Sequence, residues 1–176
     1  RQKEAGRVRE MGFSFHDDAV LLDRVLTDHP EVDFVQLQIN YLDWEDEKIQ
    51  SRKNYEVARR HGKKIAIMEP VKGGTLVNVP PEVEKLFKDY APDRSVASWA
   101  LRFAAGLEGV FMTLSGMGNM EQLRDNIATM GNFVPLNDEE REIIAKATEI
   151  IKNAVAIPCT SCGYCVEAGC PVNVNI

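Results

Sequence analysis

Residues 63–74, KKIAIMEPVKGG, pass from a short apolar segment into a loop that contains a proline and two adjacent glycines. Residues 63–68 (KKIAIM) are predicted to form a strand, because a short and nearly continuous apolar run is typical of a strand buried on both faces of a parallel sheet. The polar loop that begins at Glu69 then lies at the carboxyl end of that strand. This junction guides the interpretation of the rest of the chain.

Three further apolar segments repeat the pattern on either side. The predicted strands are residues 7–15 (RVREMGFSF), 32–39 (VDFVQLQI) and 110–114 (VFMTL). Helices are predicted over residues 17–29 with Asp17 as N-cap, 46–61, 80–90, 96–105 with Asp93 as N-cap, and 120–130. Short buried strands that alternate with helices indicate a parallel sheet with crossover helices.

Polar side chains follow the strands at their carboxyl ends. They are Ser14, His16, Gln38, Asn40, Glu69 and Ser115. In a (β/α)8 barrel the active site is built at that end of the strands. Because the sequence shows about four strand–helix units, we predict an α/β fold that forms a partial TIM barrel. The first and fourth strands would be open edges beside an apolar face, so the chain is expected to self-associate or to need a missing N-terminal half.

A last helix follows the fourth unit, with Asn137 as its N-cap and acidic residues in its first turn. Its apolar stripe should pack against the barrel and consists of Ile143, Ile144, Ala147, Ile150 and Ile151. The chain is therefore predicted to divide into a partial barrel over residues 1–136, a packing helix over residues 137–156 and a cysteine-rich segment over residues 157–176.

All four cysteines of the chain lie in that last segment, as Cys159, Cys162, Cys165 and Cys170. Their spacing, C-x2-C-x2-C-x4-C followed by Pro171, resembles a bacterial ferredoxin motif whose thiolates hold a 4Fe-4S cluster. A zinc site and reduced structural cysteines are the alternatives. The ferredoxin run has three residues before its last cysteine where this chain has four, so Cys170 is open between this cluster and a second centre.

Composition and charge restrict the class of protein. The formal net charge is −6 and no basic stripe is present, which argues against a nucleic-acid partner. No apolar run approaches the roughly 20 residues of a membrane span, and the clustered cysteines favour a reducing cytoplasm. The sequence starts at Arg1 without a methionine and stops six residues after Cys170, so a fragment of a longer protein is expected.

Several segments resemble one enzyme family. They are EAGRVREMGFSFH, VQLQINYLD, GKKIAIMEPVKGG, SVASWALRFAAGLEGVFMTLSGMGNMEQLRDNI and the cysteine run, and they cover nearly the whole chain. Together they resemble the C-terminal half of an aldo/keto reductase, in the bacterial and archaeal branch that carries a ferredoxin-like iron–sulfur tail. MEPVKGG and LSGMGNMEQLRDN are the most specific of these segments.

The resemblance implies a binding site for a nicotinamide cofactor, NADP or NAD. Ser14 and Gln38 match residues that hydrogen-bond the nicotinamide carboxamide, and Met68 matches the residue that stacks on the nicotinamide ring. The loop that passes the pyrophosphate comprises Glu69, Val71, Lys72 and Gly73, with Lys72 able to offset the phosphate charge.

The same resemblance places further cofactor contacts after the fourth strand. Gly116, Gly118 and Asn119 lead into a helix N-terminus, which is the usual phosphate site of such barrels. The contacts expected near the 2′-phosphate or ribose and near the adenine are Gln122, Asp125 and Asn126. Gln122 indicates a 2′-phosphate less clearly than an arginine would, so the sequence does not distinguish NADPH from NADH as the cofactor.

The resemblance also implies an activity for the intact protein. That protein would reduce a small carbonyl substrate by hydride transfer, but the family's tyrosine, lysine, aspartate and histidine lie on the first four barrel strands, which precede Arg1. The chain alone is therefore expected to lack a catalytic residue and to be inactive. The alternative function is an iron–sulfur electron-transfer module on a non-catalytic barrel scaffold, with a protein as the electron partner.

Some of the same residues also have simpler structural interpretations. An unpaired amide in an apolar strand is costly, so Gln38 and Asn40 are expected to have hydrogen-bond partners. Gly73 and Gly74 would equally serve a turn. Core packing is the predicted role of Trp99, Phe103, Met117 and Met120.

Overall fold

The structure, a computed structural model, describes residues 2–154. Its strands are β1 Gly12–Phe15, β2 Phe34–Gln38, β3 Lys64–Met68 and β4 Val110–Thr113. Its helices are α1 Ala19–Asp28, α2 Ser51–Arg60, α3 Pro81–Tyr90, α4 Val96–Ala105, α5 Met120–Gly131 and α6 Asp138–Ala154, with a short 3₁₀ turn at Lys72–Gly74 after β3. The order along the chain confirms the predicted alternation of strand and helix.

The four strands form one parallel sheet in the order β1-β2-β3-β4. Within residues 2–154, β1 and β4 therefore each pair along one side only. In β4 the pairing steps from Val110 opposite Ile65 to Met112 opposite Ala66, so Phe111 is an extra residue that forms a bulge. The predicted α/β class with a parallel sheet is confirmed.

One face of the sheet is covered by helices. The residues that face these helices are Val35 and Leu37 of β2, Ile39 directly after it, and Ile65 and Ile67 of β3, and all five are fully buried. They pack in a single hydrophobic cluster with residues of α1, α2 and α4, which are Leu22, Leu26, Val57, Ala58 and Ala104. Burial of this face accounts for the apolar residues at alternate positions of the strands.

The opposite face of the sheet has a different character. Because paired residues of parallel strands point the same way, it carries Ser14 of β1, Gln36 and Gln38 of β2, Met68 of β3 and Met112 of β4. In the part of the chain that the structure describes, these side chains belong to neither hydrophobic cluster. We call this surface the second face.

A second hydrophobic cluster joins α3, α4 and α6. The indole of Trp99 stacks on the ring of Phe87 with centroids 4.5 Å apart, and α6 contributes the apolar stripe expected from the sequence. Four of the five stripe residues are buried, and Ile150 is half-buried. The predicted packing of the last helix, with Asn137 accepting the Glu140 amide at 2.8 Å as its N-cap, is confirmed.

A buried ion pair fixes α6 to α4. The guanidinium of Arg102 donates to both carboxylate oxygens of Glu140 at 2.6 and 2.7 Å, and the two side chains are only 1% and 5% exposed. Arg102 also donates to the carbonyl oxygens of Val134 and Pro135. The paired hydrogen bonds from Arg102 compensate for the cost of burying the Glu140 carboxylate.

Several predicted boundaries were wrong. Asp18, not Asp17, caps α1 through the Leu21 amide, and Ser95, not Asp93, caps α4 through the Ser98 amide. The strand predicted from residue 7 begins at Gly12. The helix predicted from residue 46 begins at Ser51, because Asp46 accepts the amides of residues 48 and 49 in a turn and Gln50 has a left-handed backbone with φ of 56°.

The prediction that two methionines pack in the core was also wrong. Met117 and Met120 are 42% and 58% exposed, and they lie where β4 passes into α5. Trp99 is fully buried as predicted, and Phe103 is half-buried between both clusters. The difference arises because α5 has no buried residue among those described, so the apolar residues of this part of the chain face outward.

The described residues contain no helix long and apolar enough to cross a membrane. Across residues 2–154 there is also no group of three or more His, Cys, Asp or Glu side chains that could hold a metal ion. The four predicted metal ligands, Cys159, Cys162, Cys165 and Cys170, lie outside the described residues.

Candidate functional site

Three residues predicted to contact the cofactor share the second face. Gln38 pairs with Met68 across β2 and β3, and Ser14 of β1 pairs with Gln36, which lies on the same face as Gln38. The Ser14 side chain is exposed, whereas Gln38 and Met68 are half-buried. A polar and partly open surface therefore extends over the carboxyl halves of three neighbouring strands.

A buried carboxylate lies at the centre of the site. Asp43 is only 3% exposed and follows β2 by five residues. Its Oδ2 accepts hydrogen bonds from Gln38 Nε2 at 2.9 Å and from Asn40 Nδ2 at 2.8 Å, and its Oδ1 accepts one from Lys72 Nζ at 2.6 Å. The expectation that Gln38 and Asn40 have partners is confirmed, and the partner they share is a protein carboxylate.

Asn40 connects the ends of two strands. Its side chain is fully buried, its Oδ1 accepts the backbone amides of Leu42 and Asp43, and its Nδ2 also reaches the Glu69 carbonyl oxygen at 3.2 Å. The segment after β2 and the loop after β3 are thus held together by one amide side chain. The position of Asp43 is set by these bonds.

The loop after β3 has an unusual backbone. Glu69 and Lys72 have positive φ angles of 53° and 48°, and Gly73 and Gly74 follow with 60° and 98°. Non-glycine residues in the left-handed region cost energy and persist where the surroundings hold them. Here the Lys72 amide donates to the Glu69 carbonyl at 3.0 Å and the Gly74 amide to the Val71 carbonyl at 3.1 Å. The glycines are needed for this turn.

Lys72 lies inside the site and not on its surface. Its side chain is 10% exposed and its ammonium group is paired with Asp43. In this structure its charge is therefore balanced within the protein. The predicted contact of Lys72 with a pyrophosphate stays a prediction.

A second group of predicted residues lies where β4 passes into α5. Asn119 caps α5 by accepting the Gln122 amide at 2.9 Å, and Gln122 Oε1 accepts the Gly118 amide at 2.7 Å. Asn126 donates to the Ser115 hydroxyl at 2.7 Å. The Asp125 carboxylate accepts the Ser95 hydroxyl, also at 2.7 Å. The structure brings these residues together, with Gly116 open enough that a Cβ would meet no atom within 4 Å.

A small cleft lies at the carboxyl ends of β1 and β2. Its volume is about 150 Å³, and it is lined by Phe15, His16, Leu37, Gln38, Lys48, Ile49 and Asn54. Asn54 is buried, and its Oδ1 has no hydrogen-bond partner among the described residues. Neither Lys48 nor Asn54 was predicted to line a site, because neither lies near a strand end in the sequence.

The residue most clearly missed by the sequence analysis is Asp43. It belongs to the segment VQLQINYLD, which was recognised as a family segment without a role for its last residue. A buried role could have been inferred from its position shortly after two amide side chains that need partners.

Comparison with known proteins identifies the family. The aldo/keto reductase family matches residues 1–149. A search among curated proteins finds no significant match. Among solved structures, the holo form of an aldo-keto reductase from Bacillus halodurans is similar with a TM-score of 0.64 and 22% identity, covering 83% of this chain and 52% of that one.

Two other solved structures are comparable. A putative 2,5-diketo-D-gluconic acid reductase B has a TM-score of 0.64 at 19% identity, covering 90% of this chain and 51% of its own. An aldo-keto reductase from Klebsiella pneumoniae in complex with NADPH has a TM-score of 0.62 at 15% identity, covering 90% of this chain and 54% of its own. The chain thus spans about half the length of these structures, which share its fold. The family match over residues 1–149 shows that the chain belongs to the aldo/keto reductase family.

Proposed function

We propose that this chain is the nicotinamide-binding, C-terminal half of an aldo/keto reductase barrel. The observation that carries the proposal is the second face, where Ser14, Gln38 and Met68 come together on three adjacent parallel strands. In a parallel barrel this face is the interior and the carboxyl ends of its strands hold the active site. We assign the partial barrel to residues 1–136 and the packing region to residues 137–156, which include α6 Asp138–Ala154.

The side chains present fit a nicotinamide ring and its carboxamide. Gln38 Nε2 is bound to Asp43, which leaves Oε1 as the free end of the amide, and the exposed Ser14 hydroxyl lies on the same face of the adjacent strand β1. The half-buried thioether of Met68 is apolar and adaptable enough to lie against a planar ring. When bound, the cofactor supplies a hydride for a carbonyl carbon, and the role of these residues is to orient it.

The rest of the dinucleotide is proposed to follow the loops at the carboxyl ends of β3 and β4. The contacts along the pyrophosphate are Glu69, Val71, Lys72 and Gly73, and those at the far end are Gly116, Gly118, Asn119, Gln122, Asp125 and Asn126. The N-terminus of α5 favours an anion. Since Gln122 Oε1 occupies the Gly118 amide, its side chain has to move before a phosphate can bind there.

The form of the sheet supports an incomplete barrel. All-parallel sheets occur with both faces covered, and the second face takes no part in the hydrophobic clusters of the described residues. We propose that another barrel half covers it, either an N-terminal half that carries the tyrosine, lysine, aspartate and histidine or a second copy. On this account the chain alone is inactive, and the protein acts in the cytoplasm on a small carbonyl substrate.

The cysteine segment, residues 157–176, is proposed to hold a 4Fe-4S cluster. The support is the donor set itself, in which Cys159, Cys162 and Cys165 have ferredoxin-like spacing and Cys170 precedes a proline. Such a cluster exchanges single electrons. The same cysteines support the alternative function, an electron-transfer module with a protein partner, which would retain the cluster but not bind a nicotinamide.

Direct titration of nucleotides tests the proposal. We expect the intact protein to bind NADPH or NADH, and Gln38→Met to weaken that binding by about 10-fold because one hydrogen bond to the carboxamide is lost. Gln50→Met is the matched control, since Gln50 Oε1 accepts the Ala19 amide at 3.1 Å and Gln50 is not one of the proposed cofactor contacts. Fluorescence titration measures both affinities.

The outcomes separate the two functions. If the intact protein bound neither NADPH nor NADH, the proposal of a nicotinamide site would be wrong. If visible iron–sulfur absorption nevertheless appeared after anaerobic reconstitution, the electron-transfer alternative would stand. Equal losses in both glutamine variants would show that Gln38 does not contact the cofactor.

A further inference from the structure

The amide of Gln38 has a defined orientation in this structure. A side-chain amide has a donor end and an acceptor end, whereas an ionised carboxylate only accepts hydrogen bonds. Gln38 faces Asp43 Oδ2 at 2.9 Å, so the end directed at Asp43 must be the NH2 group. The carbonyl end, Oε1, is then the part of Gln38 that is left to meet a ligand.

Asp43 is itself held in place independently of any ligand. Its two carboxylate oxygens are engaged by Asn40, Gln38 and Lys72, and its backbone amide donates to Asn40 Oδ1 at 2.9 Å. The side chain is 4% exposed, so water does not compete for these bonds. An acceptor fixed in this way keeps Gln38 from turning its amide over.

We infer that Asp43 is a positioning residue that presents Gln38 Oε1 as a hydrogen-bond acceptor and so selects a ligand group that carries an N–H donor. This inference rests on the proposed function and deepens it: the group selected is the NH2 of the nicotinamide carboxamide. A nucleotide whose ring carries a methyl ketone in place of the carboxamide offers only an acceptor. Such a ligand would place either its carbonyl oxygen or its methyl group against Gln38 Oε1, and neither can donate a hydrogen bond.

The test compares NADP⁺ with its 3-acetylpyridine analogue, which carries that methyl ketone. Wild-type intact protein is expected to bind NADP⁺ about 10-fold more tightly than the analogue. In Asp43→Leu/Lys72→Met the acceptor and its paired cation are both removed, so the Gln38 amide is free to turn and the ratio of the two Kd values should fall to within about 2-fold. A structural role alone would weaken both nucleotides equally and leave the ratio unchanged.

Ser51→Ala is the matched control. Ser51 Oγ donates to the backbone carbonyl of Gln38 at 2.8 Å, so this variant disturbs the same residue without touching its amide side chain. It should keep the wild-type ratio. A double variant that also keeps the wild-type ratio would overturn the inference while leaving the proposed function intact. A wild-type protein that binds neither nucleotide would overturn both.

If the double variant does not fold, a measurement on the wild-type protein tests the inference. Proton–nitrogen NMR follows the side-chain NH2 of Gln38 with and without NADP⁺. The inference predicts NH2 protons protected from solvent exchange in both states, because they stay on Asp43. Loss of that protection when NADP⁺ binds would mean that the NH2 end turns to the ligand, and would overturn the inference.

Discussion

Replacing Arg102 by methionine is expected to lower the free energy of unfolding by about 3 to 5 kcal/mol. The substitution removes both donors from the Glu140 carboxylate and leaves a charge that is only 5% exposed without a counter-ion. It also frees the carbonyl oxygens of Val134 and Pro135 at the start of the segment that leads into α6. Urea unfolding followed by tryptophan fluorescence, to which buried Trp99 contributes, measures the loss.

Arg24→Met is the matched control for this prediction. Arg24 pairs with Asp28 at 3.9 Å, and these side chains are 80% and 62% exposed. Exposed pairs contribute little, so a change within about 0.5 kcal/mol is expected. Equal losses in the two variants would contradict the role given to the buried pair.

The pH dependence provides a second check on the same pair. Burial alone would raise the pKa of Glu140, but hydrogen bonds from Arg102 and from the Asn137 amide outweigh it and hold the pKa below the usual 4.5. Because the folded-state pKa is the lower one, the stabilisation is present in full above pH 4.5 and is lost as the pH falls through the folded value. The difference between wild type and Arg102→Met should therefore shrink in acid.

Replacing Lys72 by methionine is expected to cost a similar amount, about 3 to 5 kcal/mol, because it leaves the Asp43 carboxylate buried without a cation. The amide donors of Gln38 and Asn40 remain but carry no charge. The double variant Asp43→Leu/Lys72→Met should recover much of the loss, since it removes both charges. Urea unfolding of both variants tests this.

The control for Lys72 is Lys85→Met. Lys85 pairs with Asp89 on α3, where the two side chains are 73% and 63% exposed. Little change is expected there. If Lys72→Met were as mild as Lys85→Met, the buried pair of Lys72 and Asp43 would not have the stabilising role described for it.

The repeating elements could be predicted closely from sequence. Residues 96–105 are a helix with the predicted bounds, and β3 differs from its predicted range by one residue. The buried apolar residues of these elements recur at regular spacing along the sequence, and that spacing is enough to predict the elements. The parallel sheet was predicted from the alternation of short buried strands with helices.

The details of the site could not be predicted in the same way. Lys72 and Asp43 are 29 residues apart in sequence, and nothing local to either residue indicates a buried pair. The start of α2 was missed because the turn at Asp46 and the left-handed Gln50 interrupt an otherwise helical pattern. Tertiary contacts decide such features, so they appear only once the sheet is assembled.

The positions of the predicted cofactor contacts are observed in the structure, but their roles are not. The structure brings Ser14, Gln38 and Met68 onto one face, and it places Gln122 in the first turn of α5 and Asn126 against the Ser115 hydroxyl. That arrangement agrees with the resemblance from which the roles were taken. Their contact with a nucleotide stays a prediction.

The most direct test of the account is the structure of the intact protein bound to NADP⁺. We predict that the nicotinamide lies on the second face, against Met68, with its carboxamide nitrogen within about 3.2 Å of Gln38 Oε1. The carboxamide should also reach the Ser14 hydroxyl. A nucleotide bound away from the second face, or a second face filled by protein side chains that leave no room for a ring, would contradict the account.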